Sequence, residues 1–162
     1  MKQVKSVSLF LICLVAFSST VHAQNKIAHI NSQKFIESMP AYKSAMKELQ
    51  QIDKSYRKDV DEMLKEAEKT NKRYQAEQDQ VSQQENKARA ERLKEMQDNI
   101  MKFSDNAKKD LQKKREELLR PVYEKAREII QKVARDQGYD YVLDSTTGTG
   151  LLLADGYDLM DD

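Results

Sequence analysis

The sequence is poor in the residues that most often build catalytic sites or interrupt helices. Among its 162 residues there is no tryptophan, one cysteine, two prolines and four glycines. The single cysteine, Cys13, cannot form an intramolecular disulfide, so packing or assembly must stabilise the folded chain. Beyond Ala23 the chain keeps one histidine, His29, and has neither a thiol nor a glycine-rich phosphate loop. We therefore expect no enzymatic activity and no cofactor.

The only long apolar run lies at the N-terminus, in MKQVKSVSLFLICLVAFSSTVHA. Two lysines precede this run and small residues close it, which predicts a signal peptide over residues 1–23 that is cleaved after Ala23. Nothing later in the sequence is apolar enough to span a bilayer. We expect an exported, soluble protein that begins at Gln24. Cys13 follows Leu11 and Ile12 and lacks the small residues that precede the cysteine of a lipoprotein cleavage site, so lipid attachment is not expected.

Charge also narrows the possible functions. Without residues 1–23 the chain carries 26 basic and 27 acidic side chains, a net charge near −1, which argues against a dedicated nucleic-acid binder. Along the helical region the charges of opposite sign alternate, as on a solvated helix face. The acidic C-terminus lacks the ligand spacing of a calcium loop, so we expect no metal site there. Its four carboxylates are Asp155, Asp158, Asp161 and Asp162.

Residues 41–137 have the composition of a long helix, with no glycine and a single proline, Pro121. Apolar residues recur every seven positions, among them Tyr42, Leu49, Tyr56, Met63 and, in a second stripe, Val60, Ala67, Tyr74 and Val81. One helix of this length would reach about 145 Å, so we expect an antiparallel coiled-coil hairpin. The turn is placed near 82–86, a kink at Pro121, and the end of the return helix at Gly138.

Short β-like segments flank this hairpin and must come together at its open end. Residues 24–40 contain IAHI and a short helix, and residues 138–162 contain YDYVLDS and LLLADG separated by STTGTG, which predicts a C-terminal β-hairpin. Three short strands are too few for an independent core, so we expect self-assembly through this body. The residues expected at its contacts are Ile27, Ile30, Val142, Leu143, Leu151, Leu152 and Leu153. We expect His29 to be a structural strand residue.

This layout resembles the Skp/OmpH family of periplasmic chaperones, in particular the form found in Bacteroidetes-type bacteria. The resemblance is carried by IAHINSQKFIESMP, by KKREELLRPVYEKAREIIQKVARDQGYDYVLDS and by LLLADGYDL. It implies an α+β fold in a jellyfish-like homotrimer, with three helical arms around a cavity in the periplasm. It further implies an ATP-independent holdase that keeps unfolded outer-membrane proteins, its clients, from aggregating. Two features depart from the family: the chain stops at GYDLMDD without a further short helix, and its arm is only mildly basic.

Six large side chains on the arm are candidates for client contact: Tyr56, Met63, Tyr74, Met96, Met101 and Phe103. Each could instead pack between the two helices, and Met101, next to the seam position Ile100, is the best candidate to face outward. Two other functions remain open at this point. One is a structural coiled-coil adaptor or spacer of the envelope, which would ignore unrelated unfolded barrels. The other is a binder of envelope lipid, which the weak arm charge disfavours.

Overall fold

The computed structural model describes residues 25–161, and residues 1–24 and Asp162 lie outside this part. The signal peptide and its cleavage site therefore stay sequence predictions. The elements in order are β1 (Ile27–Ile30), α1 (Ser32–Ser38), α2 (Pro40–Glu77), α3 (Gln83–Asp136), β2 (Tyr141–Asp144) and β3 (Tyr157–Asp158). The predicted α+β class, a long helical hairpin on a small β body, is confirmed. The homotrimer stays a prediction.

Local signals in the sequence fix where the first helices begin. The side chain of Asn31 accepts a 2.9 Å hydrogen bond from the backbone N–H of Lys34, which caps α1. Pro40 opens α2 at a position where a missing N–H leaves no hydrogen bond unmade. The two helices are separated only by Met39, so the chain passes directly from the body into the arm.

The turn at the tip of the arm lies slightly before the predicted segment. Helix α2 ends at Glu77, a short 3-10 turn follows at Gln78–Gln80, and α3 begins at Gln83. Ser82 caps α3, because its Oγ accepts a 3.2 Å hydrogen bond from the backbone N–H of Glu85. The predicted segment 82–86 thus contains the cap and the first turn of the return helix rather than the turn itself.

The return helix is much longer than the outgoing one. Helix α2 has 38 residues and α3 has 54, lengths of about 57 Å and about 81 Å at 1.5 Å per residue. Helix α3 continues through Pro121 and ends before Gly138, whose φ of 73° is the left-handed conformation expected of a helix C-cap. Its last turns run beyond the start of α2 and reach the sheet.

The body is a three-stranded parallel sheet in the order β2-β1-β3. Ile27 pairs with Tyr141 along one edge of β1, and Ala28 pairs with Tyr157 along the other. The predicted C-terminal β-hairpin is therefore wrong, because β2 and β3 flank β1 instead of pairing with each other. Residues Leu151 to Leu153, expected as a strand, lie in the irregular loop between β2 and β3.

Two small apolar clusters hold the chain together. In the body, one face of the sheet packs on the end of α3 through a core of Ala28, Ile30, Ala134 and Leu159, covered by Phe35, Ile130, Val133, Tyr139 and Val142. At the base of the arm the buried residues are Ala45, Leu49, Leu119, Val122 and Ala126. Nearer the tip, Thr70, which is 8% exposed, is the one buried residue of the described hairpin, so the base of the arm carries most of the apolar burial.

Candidate functional site

The middle of the arm is closed by an aromatic and polar contact between its helices. The hydroxyl of Tyr56 donates a 2.6 Å hydrogen bond to the Asp110 carboxylate, and its ring lies edge-on to Phe103 with centroids 6.2 Å apart. The hydrogen bond to Asp110 is the main cause that raises the pKa of Tyr56 above its ordinary value. Both rings therefore serve the seam between α2 and α3.

The outer part of the arm is held by an arginine stacked on a tyrosine. The guanidinium of Arg89 lies 4.7 Å from the ring centroid of Tyr74, and that of Arg73 lies 5.4 Å from it. Arg89 also pairs with Glu77 of the opposite helix at 2.9 Å and with Glu85 at 3.3 Å. Because only 13% of the Arg89 side chain is exposed, these pairs are better shielded from water than the other surface pairs. Tyr74 thus belongs to the tip structure.

The arm candidates divide between the seam and the surface. Half-buried positions are held by Tyr56, Met63, Tyr74, Met96 and Phe103. Met101 is 59% exposed. Two further large apolar side chains, Leu64 and Tyr123, are not among the candidates predicted from the sequence and are 50% and 48% exposed. Leu64 directly follows the seam residue Met63, just as Met101 follows Ile100. Attention to residues next to the seam would have found Leu64.

Two adjoining depressions of about 600 Å³ and about 280 Å³ open between α2 and α3 and share Asp53 and Leu111. We call their union the arm groove. Its apolar lining comes from both helices and consists of Tyr42, Met46, Leu49, Tyr56, Val60, Ala107 and Leu111. The groove starts at the body end of the arm and runs to its middle, so the arm presents a long, shallow apolar surface on one side.

The body exposes a second apolar surface, on the face of the sheet that does not pack against α3. Ile27, Tyr141 and Leu143 are 50%, 55% and 43% exposed, whereas the predicted contact residue Ile30 is buried in the core. Val142, also predicted as a contact residue, is half-buried against that core. The next loop adds three neighbouring leucines, Leu151, Leu152 and Leu153, which are 36%, 99% and 72% exposed. The sequence predicts these leucines at contacts between copies, and within a single chain they are exposed.

His29 lies on this same outer face and is 9% exposed. Its Nε2 lies 3.1 Å from the carbonyl oxygen of Gly156, which fixes the imidazole against the chain just before β3. Its Nδ1 is buried and has no hydrogen-bond partner among residues 25–161. This position is compatible with the structural role expected from the sequence.

Comparison with known proteins identifies the architecture. Residues 26–162 match a family model described as outer membrane protein (OmpH-like). The chain belongs to the OmpH-like family. A crystal structure of an OmpH-like protein from Caulobacter crescentus is similar with a TM-score of 0.76 at 18% identity, over 86% of this chain and 81% of that one. At this identity the similarity shows a shared fold. No curated protein sequence matches this OmpH-like chain significantly.

Neither a metal centre nor a membrane span is found in the described part of the OmpH-like chain. Across residues 25–161 no group of three or more histidines, cysteines or acidic residues is arranged to hold a metal ion. Within the same range no helix combines the length and the apolar character needed to cross a membrane.

The sheet of this OmpH-like body is tied to α1 by a polar cluster around Asp144. Its carboxylate accepts a 2.6 Å hydrogen bond from the hydroxyl of Ser32 and a 2.9 Å bond from the backbone N–H of Thr146. Burial by itself would raise the pKa of Asp144, but the hydrogen bonds from Ser32 and Thr146 outweigh it and lower the pKa to about 2. The cluster joins the end of β2 to α1 and to the start of the loop that follows β2.

We expect Asp144→Asn to lower the stability of the body by about 1 kcal/mol at pH 7, a value reduced for the solvent around this carboxylate. The pKa of Asp144 falls from 3.8 in the unfolded chain to about 2 in the folded one. Its contribution is therefore present above pH 3.8 and disappears as the pH falls toward 2. Urea unfolding at pH 7 and pH 2.5 checks this, and a variant that loses equal stability at both pH values would contradict it.

Proposed function

We propose that this OmpH-like protein is a periplasmic holdase chaperone that works without ATP and keeps unfolded outer-membrane β-barrel proteins from aggregating. The observation that carries the proposal is an arm with an exposed apolar groove in a chain that matches the OmpH-like family over residues 26–162. The fold shared with the OmpH-like structure from Caulobacter crescentus also supports the proposal. The proposed signal peptide over residues 1–23 delivers the chain to the periplasm.

The proposed mechanism relies on many weak and replaceable contacts. Strands of membrane barrels alternate apolar and polar residues, so an unfolded barrel displays scattered apolar groups that aggregate when chains meet. A shallow groove holds such groups by small contacts, each of which exchanges easily. The client stays separated from other clients and remains mobile, and its own folding or a downstream partner drives release.

The proposed working unit is a homotrimer assembled through the body. Support comes from the exposed apolar face of the sheet and from the loop that carries Leu151, Leu152 and Leu153, which we call the leucine loop. Leu152 in this loop is 99% exposed. A parallel sheet is normally covered on both faces, yet here only one face packs against the chain's own helix. Three copies joined at these surfaces would bring three arms around one cavity.

Aggregation of a urea-denatured outer-membrane barrel protein, diluted into nucleotide-free buffer, tests the proposed activity. We expect about three chains per client, the stoichiometry of one trimer, to suppress light scattering. Scattering as strong as that of the client alone would contradict the proposal. Precipitation of unrelated barrels, together with tight binding of one defined envelope helix, would favour the structural adaptor instead.

A further inference from the structure

The two sides of the arm differ in chemistry near its middle. Seam positions of α2 include Val60, Ala67 and Tyr74, and the residues just before them are Asp59, Glu66 and Arg73. On α3 the residues just before the seam positions Ile100 and Ala107 are both asparagine. In an antiparallel helix pair, residues that precede such seam positions lie on one common side. From Asp59 toward the tip that side of the arm is therefore polar, whereas Ile52, seven residues before Asp59, is apolar.

The other side carries the arm groove, and two exposed apolar residues extend it. Arg57 and Lys108 line the groove, one on each helix. Leu64 is seven residues after Arg57, and Met101 is seven residues before Lys108. Residues seven apart in a coiled-coil helix lie on the same side, so Leu64 and Met101 continue the two edges of the groove toward the tip. Both are at least half exposed, at 50% and 59%.

The edges of the groove are predominantly basic. Five cations line it, Lys43, Lys47, Arg57, Lys108 and Arg115, against two carboxylates, Glu37 and Asp53. Two of the five cations already have carboxylate partners, because Arg57 pairs with Asp53 at 2.7 Å and Lys108 pairs with Asp105 at 3.7 Å. Glu37 accepts a 2.8 Å hydrogen bond from Gln33, so the groove keeps an excess of positive charge. An occupant with carboxylates between its apolar residues would complement both the lining and the edges of the groove.

The length of this surface matches one strand of a membrane barrel. From Tyr42 to Leu64 the helix rises about 33 Å. An extended chain covers that distance in about ten residues, and a barrel strand that spans a membrane has about 9–11 residues. One groove therefore has room for one unfolded barrel strand lying along the arm.

We infer that the groove side of the arm, extended by Leu64 and Met101, is the client-binding face, and that it holds an extended, partly acidic barrel segment. The opposite side makes no client contact. This inference rests on the proposed holdase function and assigns it to one face of the arm. It also moves the site away from half-buried Met63 and Phe103, whose replacement by aspartate would disrupt the seam.

Two double variants that add the same charge, one on each side of the arm, distinguish the groove side from the polar side. Leu64→Asp with Met101→Asp places two carboxylates on the groove side, and Asn99→Asp with Asn106→Asp places two on the polar side. We expect the first pair to raise the chaperone concentration needed for half-suppression of barrel aggregation about tenfold, since two apolar contacts are lost and charge is added. The polar-side pair should change this concentration by less than about twofold.

A neutral pair, Leu64→Gln with Met101→Gln, keeps helix propensity and tests the loss of apolar contact alone. We expect its concentration for half-suppression of aggregation to lie between those of the parent and of the aspartate pair. The helical circular dichroism signal should be unchanged in all variants. Equal effects of the groove-side and polar-side pairs, in a parent that does suppress aggregation, would overturn the inference and leave the holdase function standing. A parent that fails to suppress aggregation would contradict the proposed function itself.

A second copy of this chain is the other occupant that the groove could take. In that case Leu64→Asp with Met101→Asp would reduce the assembled mass of the protein in the absence of client. Light scattering of the variant without client checks this. An unchanged mass supports the client as occupant, and a reduced mass overturns the inference.

Discussion

Replacing Leu152 with aspartate is expected to convert the assembled protein into single chains. Leu152 is 99% exposed in one chain, so its replacement removes no contact that the fold of that chain uses. In the proposed trimer the leucine loops become buried, and a carboxylate from each copy would lose hydration without gaining a partner. We expect the mass measured by light scattering at micromolar concentration to fall from three chains to one.

The matched control for this variant lies in the same loop. Thr147→Asp adds the same charge at an exposed position between β2 and β3 that is not apolar. We expect it to keep the parent mass, and both variants to keep the helical signal of the arm. A Leu152→Asp protein with the parent mass would show that the leucine loop lies outside the contact between copies.

Leu119→Ala is expected to lower the free energy of unfolding by about 3 kcal/mol, the usual cost of truncating a buried leucine. Leu119 is 3% exposed and lies at the base of the arm, where Ala45, Leu49 and Val122 are also buried. The base therefore contributes more stability than the half-buried seam above it. Urea unfolding at one fixed protein concentration measures the loss, because assembly also contributes to apparent stability.

The control is the same change at an exposed leucine of the arm. Leu64 is 50% exposed, and Leu64→Ala should cost no more than about 0.5 kcal/mol. Equal losses at both positions would contradict the conclusion that burial is concentrated at the base. A larger loss at Leu64 would also argue that this residue is covered in the assembled protein.

The helical half of the fold could be predicted because its determinants are local. Composition and seven-residue stripes are properties of neighbouring residues, and the signals at Asn31, Pro40 and Gly138 act within one turn of helix. The predicted position of the turn differs from the observed one by a few residues because neither glycine nor proline marks the turn. Ser82, the residue that caps α3, was inside the predicted segment, but the chain reverses just before it.

The topology of the body could not be predicted in the same way. Turn residues in STTGTG between two apolar segments favour a hairpin, but the pairing of β2 and β3 depends on which strand occupies the centre of the sheet. Here β1 takes the centre, and both of its edges accept a parallel neighbour. The carboxylate of Asp144 binds Ser32 of α1 as well as Thr146, a long-range contact that no local pattern contains.

The candidate site was predictable by residue type but not by orientation. Methionines and aromatic residues on a coiled coil serve equally well in a seam or on a surface, and the sequence placed Tyr56 and Phe103 in the same group as Met101. The structure separates them, since Tyr56 and Phe103 contact each other across the seam and Met101 is 59% exposed. Leu64 was missed because the charged residues around it hide a single leucine next to the stripe.

Light scattering tests whether this protein is a trimeric holdase. The measurement gives the mass of the chain from Gln24 to Asp162, alone and after mixing with a urea-diluted outer-membrane barrel protein. We expect a mass of three chains that rises by about one client in a clear solution, because in the proposed trimer three arms would surround one cavity. A monomer or a dimer, or a trimer whose mass does not rise while the client precipitates, would contradict it.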